Sequence, residues 1–525
     1  MRCVRRNHLQ WPRAASWWAR VASKPRVAAG AMLLLILSGC VGPNFVPPPA
    51  PAVDNYLPGK LASPDPGKGG PDVAGQHFVT GADVSARWWA AFRSEPLNDL
   101  IRQAVEHNPT LQSAEAAIRI ANFSALAQRG LWFPQVGAEY SPSLQQISGA
   151  SGSGPDGQSP AVFALHTAQL NISYVPDIWG GNARAVENLD AVTEQSLFQL
   201  EAAYLALTSN VVTAAIQEAS LRGQMQATER VIAIERHSLD ILKRQQQAGS
   251  AAQADVLAQE AALAASEELL PPLQKQLAQQ RDLLTALAGQ LSSDEIMQKF
   301  DLAHLKLPAN LPVSLPSKLV DRRPDVRAAE ANMHSASALI GVAIVARLPN
   351  FTISGNVGAT AFNIADLFTP GTNFYFIGAA TQPIFDGFTL YYKQKAAEAA
   401  LDQAEAQYRS TVISAFQNVA DALRALQADA RAMKAAVHAE DTAKASLDIV
   451  QKQLEEGQVN QLQLLNAQQT YLNAVVVRVQ TEATRFADTA ALFMALGGGW
   501  PSTCVTPVWR DCAMGEVAPP PQPKI

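Results

Sequence analysis

The sequence predicts an α+β membrane protein with two structural repeats, each holding a pair of membrane-length β-strands and long coiled-coil helices. Three observations carry this expectation. Motifs recur along the chain at offsets of 207 to 215 residues. Two regions alternate polar and apolar residues over lengths near ten, which fits membrane-crossing strands. Two others run for more than sixty residues without proline, with apolar residues spaced three and four apart. Four strands cannot close a barrel, and an open sheet edge in lipid leaves backbone groups unsatisfied. Closure therefore requires several copies: two give eight strands, three give twelve.

In chain order, residues 1–39 read as a signal peptide, with a basic start, no acid and an apolar run over residues 27–37. That run is too short for a spanning helix. Leu37-Ser38-Gly39-Cys40 resembles the lipobox of bacterial lipoproteins, which implies acylation of Cys40 after cleavage. Val41, in place of aspartate, resembles the sorting rule that sends such proteins to the outer membrane. Residues 40–82, rich in Pro and Gly, are expected to be a lipidated tether. The first repeat is assigned to 83–307, the second to 308–500, and a tail to 501–525. The four cysteines separate by position: Cys3 in the leader, Cys40, and Cys504 with Cys512, where an exported chain permits a disulfide.

The duplication is read from pairs of motifs. Asn108-Pro109-Thr110-Leu111 and Arg323-Pro324-Asp325-Val326 open matching helical stretches, and Ala114-Glu115-Ala116 matches Ala329-Glu330-Ala331. Pro176-Asp177-Ile178-Trp179-Gly180 faces Pro383-Ile384-Phe385-Asp386-Gly387. Gly249 with Val256-Leu257 faces Gly457 with Leu464-Leu465. Each unit runs helix, strand pair, long helix, glycine turn, second helix. Gly/Ser-rich residues 149–159 join the first strand pair and residues 362–371 the second. In Phe351-Thr352-Ile353-Ser354-Gly355-Asn356-Val357 the apolar side chains share one face, as Leu170, Ile172 and Tyr174 do.

The long helices are expected over 182–247 and 391–456, each about 100 Å at 1.5 Å per residue. Leu197, Leu200, Tyr204, Leu207, Val211, Leu221, Met225, Ile232, Leu239 and Leu242 form a seam that Glu218 and Glu235 interrupt. Pro271-Pro272 is expected to break or kink the first return helix. Its counterpart over 462–496 has no such break. Helices rich in Glu, Gln and Arg must lie in water, so the strands and the helices are assigned to different media.

Arg87-Trp88-Trp89-Ala90-Ala91-Phe92, Arg322-Arg323-Pro324-Asp325-Val326 with Ala328-Ala329-Glu330, and Ala495-Leu496-Gly497-Gly498-Gly499-Trp500 resemble signatures of the TolC-like outer-membrane factors. With the lipobox, the chain resembles their lipoprotein branch, the NodT-type components of resistance-nodulation-division efflux pumps. The resemblance covers residues 88–500. It implies a homotrimer with a twelve-stranded β-barrel in outer-membrane lipid, continued by a helical tunnel in the periplasm. It also implies an inner-membrane efflux pump and a periplasmic adaptor as partners, and drugs or other small molecules as cargo.

By the same resemblance, Leu462 forms a hydrophobic ring at the periplasmic gate, and Asn466 stands where aspartate is frequent. Gln469 falls where a basic residue is common. The departures replace charges with amides, so a gate is expected here without an ionic lock. Gly249 and Gly457 end long helices at reversals, as residues free to take positive φ do. In the family such tips meet the adaptor, which assigns residues 247–255 and 456–462 to a docking surface.

Composition excludes other functions. The formal charge is −5, and the leader takes seven of 41 basic residues and none of 46 acidic ones. The remainder stands at about −12, which argues against nucleic acid as a partner. No catalytic or metal-binding constellation stands out, and no cofactor is expected. Gly152-Ser153-Gly154-Pro155-Asp156-Gly157 matches a dinucleotide fingerprint by chance, lacking a helix after it. The leading reading is a passive export conduit and not an enzyme. The alternative is an exported structural coiled-coil lipoprotein without a pore, which leaves the duplicated strand pairs unexplained.

Overall fold

The structure, a computed structural model, describes residues 41–59, 63–64, 75–147, 161–369 and 371–499. The segment 1–39 expected as a signal peptide, Cys40, Cys504, Cys512 and Trp500 lie outside the described residues. These form two compact units, one of residues 41–44, 127–186 and 338–397, the other of 45–126, 187–337 and 398–499. The units do not follow the repeat boundary. Each repeat gives its strand pair to the first unit and most of its helical length to the second.

The duplication holds element by element. The first repeat, with β1 (His77–Thr80) just ahead of its expected start, contains α1 (Glu95–His107), α2 (Pro109–Gly130), β2 (Gln135–Ile147), β3 (Ala161–Tyr174) and α3 (Gly181–Gln247). It ends with α4 (Gln253–Glu268) and α5 (Leu270–Leu287). The second contains β4 (Asn310–Val313), α6 (Pro316–Arg322), α7 (Pro324–Val345), β5 (Asn350–Ala361), β6 (Asn373–Thr381), α8 (Thr389–Glu455) and α9 (Gln461–Ala495). α2 and α7 each have 22 residues, and α3 and α8 each have 67.

Proline and glycine set the boundaries. Asn108 and Arg323 are both extended because a proline follows each, and that clash disfavours the helical region. Asn108 Oδ1 then accepts from Thr110 N at 2.9 Å and caps α2. Pro271 and Pro272 split the first return helix at Leu269, as expected. In the first turn of α5 their missing N–H groups cost nothing. α9 continues unbroken over 35 residues.

The strands form one antiparallel sheet in the order β2-β3-β5-β6, within the first unit. The second unit holds the main hydrophobic core and the family-like motifs. Trp88, Trp89 and Phe92 are buried there. Trp88 lies 5.6 Å from the Phe493 ring, Trp89 6.3 Å from Tyr204, and Phe92 6.0 Å from Phe486. The glycine motif after α9 is one of close approach. A Cβ on Gly499 would stand 2.3 Å from the Val84 carbonyl oxygen.

The segment expected as a lipidated tether over 40–82 is docked at several of its described residues. In the first unit, Val41 N donates to Trp179 O at 3.3 Å. Arg184 holds Val41 O at 3.2 Å, Gly42 O at 3.3 Å and Asn44 Oδ1 at 2.8 Å. In the second unit, Phe45 stacks on His334 at 4.5 Å, Tyr56 meets Phe416 at 5.6 Å, and β1 pairs in parallel with β4. Pro-rich sequence favours an extended chain, and a stiff extended chain loses little entropy on docking. The composition that suggests a free tether therefore suits a docked strap equally well.

One polar interruption of the helical seam, Glu218, is paired both within its own helix and from another. Glu218 is fully buried, and its Oε1 accepts from Arg222 at 2.7 Å and from Arg281 of α5 at 2.9 Å. Arg281 also donates to Ile296 O at 2.6 Å and Gln298 O at 3.0 Å, fastening the connection between repeats to α5.

Candidate functional site

The sheet has one apolar and one polar face, fixed by register. Val136 pairs with Ile172, Ala138 with Leu170, and Leu170 with Val357, which pairs in turn with Phe374. Side chains of directly paired residues share a face. The alternate positions are mainly polar, carrying Gln135, Glu139, Ser141, Gln169, Asn171, Ser173, Thr352, Ser354, Asn356 and Thr360, with Phe163, Leu165, Tyr375 and Ile377 among them. β2 and β6 have no strand partner on their outer edges among the described residues.

Aromatic residues gather at both ends of the sheet. Next to the helices, Trp132 and Phe133 precede β2, while Phe385, Phe388, Tyr391 and Tyr392 follow β6, all exposed. Arg347 lies 5.8 Å and Lys395 5.9 Å from the Tyr391 ring centre. At the loop end, Phe362, Phe368, Phe374 and Phe376 are exposed. Two such girdles flanking an apolar band mark a membrane-spanning β-sheet.

The helix tips have identical geometry. Gly249 and Gly457 both take φ +76. At the first, Ser250 N bonds Gln245 O and Gly249 N bonds Gln246 O, both at 2.9 Å. At the second, Gln458 N bonds Gln453 O at 2.8 Å and Gly457 N bonds Leu454 O at 3.0 Å. Each is a Schellman reversal in which glycine avoids the steric cost of the left-handed region. Open space surrounds both glycines.

Beyond the second tip, Asn460 caps α9 by accepting from Gln463 N at 3.1 Å. Leu462, 62% exposed, and Asn466 lie one turn apart on the same side of α9. Gln469 continues that face and donates to Asn473 Oδ1 at 3.0 Å. The other side of α9 is packed: Leu464 and Ala467 cluster with Leu447 of α8. Gln461 donates to Gln259 of α4 at 2.6 Å, and Gln468 to Ser238 of α3 at 3.3 Å. The exposed face carries a leucine and amides, without charge.

Ionisable groups are buried farther along the same helices. Arg485, 1% exposed, donates to Gln76 Oε1 at 3.0 Å, and Gln76 donates to Thr489 Oγ1 at 3.1 Å. Burial and the neighbouring Asp488 push the Asp429 carboxyl upward, against the opposing pull of Arg485. Burial pushes Glu201 up to about 8, with Arg327 opposing. Among the described residues there is no group of three or more His, Cys, Asp or Glu side chains able to hold a metal.

The family model for outer membrane efflux proteins matches residues 100–290 and 315–498, the two repeats in turn. The chain belongs to the outer membrane efflux protein family. It is 28% identical to the pyoverdine export outer membrane protein OpmQ of Pseudomonas aeruginosa over 420 residues, 79% of this chain and 88% of that one. It is 27% identical to the outer membrane protein OprJ of the same species over 487 residues, 91% and 97% of the two chains. The structure of the CmeC outer membrane channel of Campylobacter jejuni superposes with a TM-score of 0.81 at 20% identity, over 91% of this chain and 99% of that one. The expected fold and the expected role as an outer-membrane efflux channel are borne out. Sequence reading missed the docked N-terminal strap, the buried glutamine contacts between hairpins, and a hydrogen-bonded lattice around Glu139 on the sheet. Of these, only Glu139 left a signal, as an isolated acid in an uncharged strand.

Proposed function

We propose that this efflux channel works as a homotrimer that conducts small molecules passively from a periplasmic adaptor and inner-membrane pump to the exterior. The observation that carries the reading is the four-stranded sheet with two open edges, one apolar face and one polar face. In lipid, its edges must pair, and pairing with copies of itself closes a barrel. Two copies would give eight strands, whose interior side chains fill. The polar face, with its Glu, Gln, Asn and Thr side chains, requires water, and twelve strands enclose it.

Gly249 and Gly457, at the helix tips, are the proposed adaptor-docking points, and the Leu462–Asn466 face is the proposed gate. Leucine closes such a constriction by excluding water, and the amides add neutral hydrogen bonds. Cys40 is the proposed site of acylation, one residue before Val41, which is fixed to the strand-bearing unit. Cys504 and Cys512 are proposed to form a disulfide. The sequence carries no G-x-x-x-x-G-K-S/T phosphate loop, and the proposed source of energy is the pump.

Native mass measurement in detergent, followed by planar-bilayer recording, tests the reading. A trimer that yields discrete conductance steps is expected. A monodisperse monomer or a silent bilayer, even with Leu462→Ala, rejects it.

A further inference from the structure

Glu139 lies on the polar face of β2, and no other strand residue carries a carboxyl group. From Gln135 to Tyr174, and from Asn350 to Thr381, the chain contains no Lys or Arg. Within the four-stranded sheet, His166 is the other ionisable residue besides the tyrosines, and register puts it opposite Pro142, on the apolar face. Glu139 is held in place. Its Oε2 accepts from Gln169 Nε2 at 3.0 Å and from Asn171 Nδ2 at 3.1 Å. Asn356 of β5 extends the lattice, donating to Gln169 Oε1 and, at 2.9 Å, to Asn171 Oδ1. Three strands thus fix one carboxylate by amide donors that cannot neutralise it.

We propose that Glu139 sets the charge selectivity of the barrel lumen, favouring cations over anions. The inference rests on the trimeric channel reading above. Each copy then adds one carboxylate at the same height, about 14 Å along β2 from Gln135 at 3.4 Å per residue. Because the neighbouring strands are copies of these, no basic strand residue in the barrel offsets the ring. Lumen-facing charges tune barrel selectivity. The screening length is about 10 Å at 0.1 M salt and about 30 Å at 0.01 M, so the effect of a ring on a wide lumen strengthens as salt falls.

The test is the reversal potential of the full-length trimer in planar bilayers under a tenfold KCl gradient at low salt. The wild-type channel is expected to pass K⁺ in preference to Cl⁻. Glu139→Gln is expected to reduce that permeability ratio at least twofold, while Glu139→Asp retains it. Asp366→Asn, at the loop end, is expected to change it less. An unchanged ratio in Glu139→Gln overturns the assignment and leaves the channel reading standing, as does a wild-type channel that is unselective or prefers anions. Failure of the wild-type protein to conduct at all removes the channel reading and this inference with it.

Discussion

Arg323 donates from Nη1 to the carbonyl oxygen of Ala495 at 3.1 Å, joining the start of α7 to the end of α9. Its guanidinium also grips Asp325 through two bonds, at 3.0 and 2.6 Å. The first repeat makes the same junction with a different side chain: Asn108 Nδ2 donates to Leu287 O at 3.1 Å, at the end of α5. In both cases a residue held extended by a following proline fills the unsatisfied carbonyl end of its repeat's last helix. The Arg-Pro-Asp signature is thus a junction between elements.

Removing the charged donor should be costly. Arg323→Ala is expected to destabilise the protein by about 1.5–3 kcal/mol, the usual range for a hydrogen bond to a charged group. Arg323→Lys should recover only part of this, since an ammonium cannot make the paired contact with Asp325. Thermal unfolding of the purified protein followed by circular dichroism checks both; equal melting temperatures for wild type and Arg323→Ala would refute the junction's role.

Glycines at the tips and at the junctions should respond differently to alanine. Gly249→Ala and Gly457→Ala meet only the backbone cost of the left-handed region, about 1–2 kcal/mol, because nothing lies near the new Cβ. Gly289 takes φ +77, and a Cβ there would stand 2.5 Å from His107 O; on Gly497 it would stand 3.0 Å from Arg322 O. Gly289→Ala is therefore expected to unfold at a lower temperature than either tip variant. Hydrogen exchange should show the tip effects confined to the ends of α3 and α8.

At the proposed gate, Leu462→Ala is expected to raise single-channel conductance several-fold without changing the melting temperature, since Leu462 is exposed on the single chain. Asn466→Asp places a carboxylate on an uncharged face and should make current sensitive to divalent cations added on the periplasmic side. Equal currents in all three proteins would place the constriction elsewhere.

Glu201 gives a pH test. Burial raises its folded pKa from 4.5 to about 8, so the folded state holds the proton more tightly than the unfolded chain. That contribution to stability is fully present below about pH 4.5 and is lost as pH rises through about 8. Between about pH 5 and 9, wild-type stability should therefore fall relative to Glu201→Gln, which carries no titrating group. Melting curves of the two proteins that run parallel across this range would contradict the assignment.

Element lengths, strand faces and turns are legible in the sequence because they follow from periodicity and from single residues. Two prolines fix the break between α4 and α5, and two glycines fix the tips. Glu218 reads only as an interruption of the seam, because its partner Arg281 lies 63 residues away on another helix. The strap over residues 41–59 escapes sequence reading for a related reason. Proline content reports that a chain is extended, whereas docking depends on what Arg184, His334 and Phe416 offer it.

Sequence alone was enough for the duplication, the alternation that separates an apolar from a polar sheet face, and the need for several copies to close a barrel. These are local or additive properties of the chain. Folding in three dimensions decided which distant residues meet: Arg323 with Ala495, Gln461 with Gln259, and Glu139 with Gln169 and Asn171. A one-residue shift in strand register would turn Glu139 away from those amides, and no periodicity specifies register between Glu139 and Gln169, which are 30 residues apart. Packing of the whole sheet specifies it, and with it the position of the one carboxylate in the strands.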